Sequence, residues 1–555
     1  MKHSKLAILV SAALFASAGA YASDGNEADV TQNGSNNVVE VTQSVNSDNN
    51  DATVSQDGAS NKAYVTQSDT SDTHAFITQA GELNQGTITQ RNATQTATAT
   101  IDTDGVDNRA FIDQQFNNGE NAAADINQVG DRNNATILQD NADAANSTIN
   151  QNGSDDIAEI KNHWSDFADA TITQNVGGGN NAYIEQESAD AASASLTQTG
   201  AGNNGDIIQA TANFGYSATA DDTVATLTQT GENNRGYISQ TANSSDATVN
   251  QDGDSNEAEV YQSGLNNTAN VQQLGNSDDA FVYQTGQDGN ASVNQSGNTG
   301  SVATVNQSGF SNDAMIDQVG TGLTATVTQF DHDNVADIDQ SNLGNTASVT
   351  QRGSSEGLGN LATVMQNGVD DTATVLQNGE DNTAYVDQDS SSNANTIAIT
   401  QLGNTNYAGA ASDLGGDNTI TINQTGDRNY VGNTASGSAN YYGTPIGAGT
   451  FGAENTVLIN QLGNDNKAYA DSADLSSDVE ISQTGDFNNA IAESWEGTDN
   501  DIMISQTGTL HNADVFVNGA GSNTVSITQT DSSNTANVTS MGYGNSVMVM
   551  QGQGL

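Results

Sequence analysis

The sequence predicts an all-β fold, a long β-solenoid in which each coil of about 22 residues contains two strands and two turns. Three observations predict it. A five-residue pattern recurs roughly every 11 residues, apolar and polar residues alternate within each interval, and glycine marks the segment between intervals. Two successive intervals then make one coil, and stacked coils place two parallel sheets face to face.

The repeated pattern is Gln, with Gly two residues later, Asn five later, Ala seven later and the next Gln eleven later. Gln251, Gly253, Asn256, Ala258 and Gln262 form one copy. The interval between glutamines stays nearly constant over residues 229–351. A fixed short period indicates one structural unit stacked many times, so function is expected to belong to the whole array.

The strand lies in the second half of each interval. Asn256, Ala258, Val260 and Gln262 alternate with acidic and aromatic residues, so these four side chains share one face of a strand. We predict that this face points inward, with a thin core of Ala and Val or Ile. The inward amides stack above identical amides in neighbouring coils, where each donates to one neighbour and accepts from the other.

The predicted structural and assembly residues come from the copies that carry the whole pattern. The inward amides are Gln56, Asn61, Gln67, Gln128, Asn133, Gln139, Gln251, Asn256, Gln262, Asn267, Gln273, Gln307, Asn312, Gln318, Gln377, Asn382 and Gln388. The turn glycines, expected to allow a positive φ, are Gly58, Gly130, Gly253, Gly264, Gly309 and Gly379.

The pattern changes after about residue 400, where the spacing between glutamines doubles. The skipped strands keep their Asn and Ala but carry Ser472 and Ser494 in the place of Gln, which indicates the same solenoid with smaller inward residues in one sheet. Irregular inserts fall near 211–222, 353–360 and 430–455. The last of these contains Tyr441, Tyr442 and Pro445 and is predicted to be a protruding loop.

The composition excludes several classes of protein. Only 34% of the residues are hydrophobic, too few for a large aliphatic core, and the net charge of −57 argues against nucleic acid or an anionic membrane as partner. The low hydropathy would favour disorder, but the regular apolar spacing argues against it. No segment after the N-terminus is long and apolar enough to predict a membrane span.

The N-terminus predicts secretion. Lys2 and Lys5 precede an apolar run from Leu6 to Phe15, followed by small residues, so residues 1–22 are a predicted signal peptide rather than an anchor helix. The predicted repeat region then covers 23–551, with a tail at 552–555. The chain contains no Cys, which excludes a disulfide scaffold.

The pattern Gln-x-Gly-x-x-Asn-x-Ala-x-x-x-Gln resembles the curlin repeat of bacterial curli subunits, from about Gln32 to Gln551. The resemblance implies a secreted amyloid subunit that polymerises at the cell surface and contributes to biofilm, adhesion and aggregation. It further implies export through the periplasm of a Gram-negative bacterium and an outer-membrane pore. The implied partners are copies of the same chain and a curlin-type nucleator or co-subunit. Familiar curlins carry about five repeats, whereas this chain carries several times more.

No catalytic, cofactor or metal site is predicted, and the chain is not expected to be an enzyme. His74, His163, His332 and His511 are scattered without the spacing of a metal site and are predicted to be ordinary surface or strand residues. Acidic pairs are frequent enough to arise by chance. Turns such as Gly426-Asp427-Arg428-Asn429 are explained by turn chemistry. Weak Ca²⁺ binding by stacked turn acids is the alternative.

Two sets of outward residues suggest a surface function. If the outward aromatics share one sheet face, they form a patch for lateral packing or adhesion; otherwise they support neighbouring strands. They are Tyr64, Phe76, Phe111, Tyr183, Phe281 and Tyr385. The outward Thr pairs are Thr87/Thr89, Thr171/Thr173, Thr326/Thr328 and Thr419/Thr421. They suggest an alternative function, a monomeric solenoid adhesin or an ice- or surface-binding protein, although they are intermittent and β-propensity also explains them.

Overall fold

The computed structural model describes residues 25–44, 46–92, 96–115, 121–210, 220–353, 358–389, 392–432 and 447–552. These residues form strands and turns, with no helix among them, which confirms the all-β prediction. The predicted signal peptide and residues 553–555 of the predicted tail lie outside the described residues. Contacts divide the chain into two compact units, Met1–Val249 (unit 1) and Asn250–Leu555 (unit 2), and each is described by itself.

Unit 1 contains two parallel sheets with alternating strands. Sheet A of unit 1 contains β1 (Glu27–Ser35), β3 (Asp51–Ala59), β5 (His74–Glu82), β7 (Thr98–Val106), β9 (Ala123–Asp131), β11 (Asn146–Ser154), β13 (Asp169–Gly178), β15 (Ser193–Ala201) and β17 (Val224–Glu232). Sheet B of unit 1 contains β2 (Val38–Ser44), β4 (Lys62–Ser68), β6 (Gln85–Arg91), β8 (Arg109–Gln115), β10 (Asn134–Asp140), β12 (Ile157–His163), β14 (Asn181–Glu187), β16 (Asn204–Ala210) and β18 (Arg235–Gln240). The boundary between the units falls within β19 (Asp246–Asp252).

Unit 2 repeats this architecture. Its sheet A contains β21 (Thr268–Asn276), β23 (Asn290–Thr299), β25 (Asp313–Thr321), β27 (Val335–Leu343), β29 (Leu361–Gln366), β31 (Thr383–Gln388), β34 (Tyr407–Asp413), β37 (Tyr430–Val431), β38 (Ala448–Phe451), β40 (Lys467–Leu475), β42 (Asn489–Thr498), β44 (Asn512–Gly521) and β46 (Thr535–Tyr543). Its sheet B contains β20 (Glu257–Gln262), β22 (Asp279–Gln284), β24 (Val302–Gln307), β26 (Thr324–Asp331), β28 (Thr346–Gly353), β30 (Thr372–Asn378), β33 (Thr396–Leu402), β36 (Thr419–Thr425), β39 (Thr456–Leu462), β41 (Asp478–Thr484), β43 (Asp501–Thr509), β45 (Thr524–Ser532) and β47 (Ser546–Gln551). The short strands β32 (Ser392–Asn393) and β35 (Gly415–Gly416) pair separately.

Identical positions of the repeat pair across neighbouring coils. Between β20 and β22, Ala258 is opposite Ala280, Val260 opposite Val282, and Gln262 opposite Gln284. This register stacks like side chains in columns, and every strand pair is parallel because each chain segment returns to the same sheet one coil later. The predicted β-solenoid of two facing parallel sheets is confirmed.

The core of each unit is a thin seam of small and branched aliphatic side chains between the two sheets. In unit 1, columns of Ile dominate, and Ile77, Ile101, Ile88 and Ile112 are at most 1% exposed. Alternation along the strand explains this seam, because residues of period two share one face. The composition is sufficient for such a core because a narrow gap needs only one Ala and one Ile or Val per strand.

The strands predicted without Gln keep the register. Ser412, Thr450, Ser472 and Ser494 follow one another in sheet A of unit 2, and all four are buried. Of the predicted inserts, residues 211–219, 354–357 and 433–446 lie outside the described residues, and with them Tyr441, Tyr442 and Pro445.

Candidate functional site

The inward glutamines form two ladders in each unit, one in each sheet. Gln284 Nε2 donates to Gln307 Oε1 at 2.9 Å, and Gln307 Nε2 donates to Gln329 Oε1 at the same distance. The series continues through sheet B of unit 2 to Gln551, which accepts from Gln529 at 2.8 Å. In each of these bonds the earlier coil donates and the later coil accepts, so the ladder has a direction.

Most ladder amides also bind the backbone of the facing sheet, as Gln273 and Gln307 do. Gln273 Nε2 lies 3.0 Å from the Glu257 carbonyl oxygen and 2.8 Å from that of Asp278. These carbonyls lie at the starts of strands in sheet B, where the chain leaves a turn. The glutamine amide therefore satisfies buried backbone groups at the corner as well as its neighbour in the ladder, which makes it costly to replace.

The inward asparagines differ from the predicted amide-to-amide columns. Asn256 Nδ2 donates to the carbonyl of Gly275, the turn glycine of the next coil, at 2.9 Å. Asn256 Oδ1 accepts the backbone N–H of Asp278 at 3.0 Å. Direct bonds between asparagine amides occur in part of unit 2, as from Asn382 Nδ2 to Asn360 Oδ1 at 2.9 Å. Asparagine mainly pairs with backbone because its short side chain lies beside the turn; where an Asn–Asn bond forms, the bond to the turn carbonyl is kept, as from Asn382 Nδ2 to the Gly403 carbonyl at 2.7 Å.

The structure buries every predicted ladder residue, and none is more than 3% exposed. These residues are Gln56, Asn61, Gln67, Gln128, Asn133, Gln139, Gln251, Asn256, Gln262, Asn267, Gln273, Gln307, Asn312, Gln318, Gln377, Asn382 and Gln388. They belong to different sheets: Gln251 bonds to Gln273 in one sheet, and Gln262 bonds to Gln284 in the other. Their part in assembly stays a prediction.

The turn glycines are required for close stacking, and a positive φ is not common to all of them. Gly58, Gly130, Gly253, Gly309 and Gly379 have φ between 105° and 135°. Gly264 does not have a positive φ, so the prediction for it was wrong. A Cβ on Gly264 would collide with the carbonyl oxygen of Gly286, just as one on Gly253 would collide with that of Gly275. Glycine is needed because successive turns lie in direct backbone contact.

The sequence interpretation missed a second turn position, the residue immediately before the inward Asn. Ser255, Asn266, Ser277 and Asp288 all have φ of 54–61°. Asn, Asp and Ser tolerate the left-handed region better than branched residues because their short polar side chains bond locally. The recurring Ser, Asn or Asp at this position of the repeat was the available signal.

The glutamine ladder of sheet A in unit 1 is broken at Thr103. Thr103 takes the ladder position between Gln79 and Gln128 and is fully buried. Its side chain is too short to continue the series, and three atoms are left without a hydrogen-bond partner: Gln79 Nε2, Thr103 Oγ1 and Gln128 Oε1. A second break occurs at Asn162 in sheet B, where Asn162 Oδ1 and Gln186 Oε1 have no hydrogen-bond partner.

Replacing Thr103 by Gln is expected to stabilise the chain. The longer amide would accept from Gln79 Nε2 and donate to Gln128 Oε1, and satisfying two buried groups contributes about 1–3 kcal/mol. Thermal unfolding followed by circular dichroism would show a higher midpoint. The control is Thr103→Val, which keeps the shape and removes one unpartnered hydroxyl but leaves Gln79 Nε2 and Gln128 Oε1 as they are, so its midpoint should rise less than that of Thr103→Gln. A lower midpoint for Thr103→Gln than for Thr103→Val would contradict the expectation.

Two positions of the asparagine columns carry Asp instead. Asp278 and Asp156 are fully buried, and each uses Oδ1 to accept a backbone N–H, from Ser301 at 2.9 Å and from Asn180 at 3.0 Å. In each, Oδ2 takes the place of the donating asparagine amide and has no partner. Burial raises the pKa of Asp278 to about 6 and also raises the pKa of Asp156. Protonation of Oδ2 would restore the missing donor.

A further group of buried acids lies in sheet A of unit 2, where Ser replaces Gln. Asp474 accepts from Asn500 Nδ2 at 2.9 Å, from the Gly497 N–H at 2.7 Å and from the hydroxyls of Ser477 and Ser494. It fills the space next to the smaller ladder residue. Burial, with the nearby charges of Glu493 and Asp474, raises the pKa of Asp471 to about 6.

The model of the curlin associated repeat matches eight segments distributed over both units. They are residues 48–81, 221–253, 243–275, 301–330, 357–389, 393–426, 476–508 and 497–530. The chain belongs to the curlin repeat family. A comparison with curated proteins gave no match. The matched segments include Gln251, Gly253, Gln273 and Gln307 of the ladders and turns described above, so the family assignment and this part of the geometry rest on the same residues.

The histidines of this curlin-repeat protein do not come together. His332 stacks on Phe310 with ring centroids 5.0 Å apart, and His163 packs on Trp164. His511, predicted as an ordinary surface or strand residue, takes a buried asparagine position, where it accepts the Asn534 N–H at 3.3 Å. Its place five residues after Gln506 was the signal. Among the described residues, no three His, Cys, Asp or Glu side chains are grouped to hold a metal ion.

The turn acids of the curlin repeats bond from coil to coil. Asp427 Oδ1 accepts the Asn404 N–H at 2.9 Å, and the Asp427 N–H donates to Asn464 Oδ1 at 2.8 Å. Arg428 pairs with Asp465 at 2.7 Å. These contacts support the turn interpretation of Gly426-Asp427-Arg428-Asn429.

In the part of the chain that the structure describes, no helix could span a membrane.

The outward aromatics do not form one patch. In unit 1, Tyr64, Phe111 and Tyr183 lie in sheet B and Phe76 in sheet A; in unit 2, Phe281 lies in sheet B and Tyr385 in sheet A. The condition for an aromatic binding face is therefore not met in either unit. The Thr pairs differ in the same way: Thr87/Thr89 and Thr171/Thr173 occupy different sheets, whereas Thr326/Thr328 and Thr419/Thr421 share sheet B of unit 2.

Proposed function

We propose that this curlin-repeat protein is a secreted, non-enzymatic structural subunit that assembles with copies of itself into extracellular amyloid fibres of the biofilm matrix. The observation that carries the proposal is the directional glutamine ladder together with the outermost strands. Every ladder bond runs from an Nε2 donor to an Oε1 acceptor in the next coil. The same bond can therefore continue from the last coil of one copy to the first coil of another.

The outermost described strands support this addition. Among the described residues, β1 and β2 pair on one side, with β3 and β4, and β46 and β47 pair with β44 and β45. Val30 on β1 is 39% exposed, whereas Val54, opposite it on β3, is 1% exposed. Exposed strand edges with apolar inward residues are templates for another chain. A head-to-tail contact that does not close into a ring extends into a filament.

Seeding tests the proposal directly. Purified chain lacking residues 1–22 should form fibres with cross-β diffraction after a lag, and fragments of those fibres should shorten the lag of fresh protein. A chain that stays monomeric at the same concentrations, with or without seeds, would contradict self-assembly and favour a monomeric adhesin. Fibres that do not seed would indicate aggregation without templating.

A proline variant tests whether the strand edge is the growing surface. The Thr524 N–H donates to the Asn545 carbonyl, so by alternation the N–H of Met548 points away from β45, and Met548→Pro removes one donor from the open edge of β47. Seeds of this variant should elongate more slowly than seeds carrying Ser at the outward residues Met548 and Met550. Equal elongation of the two would show that this edge is not used.

A further inference from the structure

Seven consecutive strands of sheet B in unit 2 have an outward surface without charge. The strands are β24, β26, β28, β30, β33, β36 and β39, and the surface comprises the three outward residues before the ladder Gln on each. We call this surface the threonine face. Its Thr residues are Thr304, Thr324, Thr326, Thr328, Thr346, Thr350, Thr372, Thr374, Thr396, Thr400, Thr419, Thr421 and Thr456. The other residues are Val302, Asn306, Ser348, Leu376, Ala398, Asn423, Leu458 and Asn460.

The threonine face is ordered in columns. Thr324, Thr346, Thr372, Thr396, Thr419 and Thr456 follow one another directly across six neighbouring strands. No register shift interrupts the pairing from β24 to β39, whereas β21–β23 and β23–β25 in sheet A contain irregularities. The side chains therefore stand in regular columns, with neighbouring strands about 4.8 Å apart.

Charge separates the threonine face from its surroundings. The chain has a net charge of −57, and acids border the face at both ends, Asp279 before Val302 and Asp478 after Thr456. The opposite sheet of the same coils is acidic: Asp317 and Asp339 are neighbours in sheet A. Burial and the Asp317 carboxylate raise the pKa of Asp339. The general preference of strands for Thr applies to both sheets. It does not explain why, in these coils, the outward acids lie in sheet A and not on the threonine face.

We propose that the threonine face is the surface through which two copies of this chain pack laterally, face to face, within the assembled fibres. This inference rests on the proposed self-assembly. Two chains of strong negative charge can pack closely only where no carboxylates oppose one another, and among these coils sheet B offers that surface. Small Thr side chains can interdigitate between facing sheets in a dry interface.

The size of the threonine face is sufficient for a stable contact. Seven strands about 4.8 Å apart and about 20 Å long present roughly 650 Å² per copy, so a pair buries about 1,300 Å². That lies at the lower end of specific interfaces, and repetition along a fibre would multiply it. Val302, Leu376, Ala398 and Leu458 interrupt the hydroxyl pattern. These apolar residues suit a protein partner better than an ice lattice, which needs an unbroken array.

The experiment places charge on this face and on the opposite one. Thr326→Glu with Thr374→Glu adds two carboxylates to the threonine face, and the matched control Ser292→Glu with Thr363→Glu adds the same charge to outward positions of sheet A. Fibres of wild type and both variants are imaged by cryo-electron microscopy at low and high salt. A two-fold contact places each substitution in the interface twice, so repulsion should reduce the paired fraction more than tenfold in the first variant.

The outcomes separate this inference from the proposed function. Paired fibres in wild type and control but single fibres in the threonine-face variant, with unchanged seeding, would support it. Single fibres in wild type, or equal pairing in all three proteins, would overturn it while leaving self-assembly intact. A wild type that forms no fibres would overturn both proposals. Arrest of ice growth by wild type that is lost in the threonine-face variant, without pairing, would assign the face to ice instead.

Discussion

Replacing Gln307 by Leu is expected to lower the free energy of unfolding by about 3–5 kcal/mol and to slow fibre growth. Gln307 accepts from Gln284 at 2.9 Å and donates to Gln329 at 2.9 Å. It also bonds to the carbonyls of Asn290 at 2.8 Å and Asn312 at 3.1 Å. Leucine has a similar volume but makes none of these bonds. Gln329 Oε1 loses its ladder donor, and Gln284 Nε2 keeps its bond to the Thr268 carbonyl alone. A buried polar group that loses a partner costs about 1–3 kcal/mol.

The matched control is the neighbouring residue. Asn306→Leu makes the same exchange of an amide for an aliphatic group, but on an outward, half-buried side chain. Its free energy of unfolding, measured with guanidinium and circular dichroism, should stay within about 1 kcal/mol of wild type. Equal midpoints for the two variants would show that the ladder amide does not hold the coils in register. Unchanged lag times for Gln307→Leu would separate ladder stability from assembly.

Replacing Asp278 by Asn is expected to stabilise the protein by about 2–3 kcal/mol at pH 7 and by almost nothing at pH 4. In the Asn variant, Nδ2 takes the place of Asp278 Oδ2, which has no hydrogen-bond partner. An amide at this position can donate a hydrogen bond, as Asn256 Nδ2 does to the Gly275 carbonyl. It would also remove a carboxylate that is fully buried beside Asp279.

The direction of the pH dependence follows from the raised pKa of Asp278, about 6 in the folded chain against an ordinary value near 3.9. Above pH 6 the folded state contains an ionised, buried carboxylate and is destabilised. Between pH 6 and 4 the folded state binds a proton that the unfolded state does not, so stability rises as the pH falls. Below pH 4 both states are protonated and the gain is complete.

Comparison of variants isolates this group from the many other acids, which also become protonated on acidification. Guanidinium midpoints are measured from pH 4 to 8 for wild type, Asp278→Asn and the reverse substitution Asn256→Asp. The difference between wild type and Asp278→Asn should shrink as the pH falls through 6, whereas Asn256→Asp should acquire the same dependence. A difference that is constant with pH would mean that the carboxylate of Asp278 remains hydrated and ionised in the folded state.

Much of the fold could be predicted because the repeat constrains it many times over. Alternation places Ala258, Val260 and Gln262 on one side of a strand, and the same spacing recurs in nearly every coil. Even the strands with Ser472 and Ser494 were recognisable, since Asn and Ala keep their positions. The inward and outward positions of a single copy would have been ambiguous. Many copies with the same spacing fit one arrangement, in which like residues stack in register.

The detailed geometry was harder to predict. The column expected to bond from Asn to Asn bonds largely to backbone, because side-chain length decides which acceptor is within reach. Gly264 has an ordinary φ and is required only because the turn of the next coil lies against it. His511 was interpreted as an ordinary surface or strand residue because its position in the repeat was overlooked.

The amino-acid sequence alone was enough to establish a β-solenoid of the curlin type with inward amides, because periodicity and alternation are local properties that each copy repeats. Which outward residues meet depends on how strands 22 or more residues apart stack. Only folding therefore gathers Thr324, Thr346 and Thr372 into one uncharged column. It also places Asp317 beside Asp339 on the opposite sheet, and it leaves Asp278 Oδ2 buried without a hydrogen-bond partner.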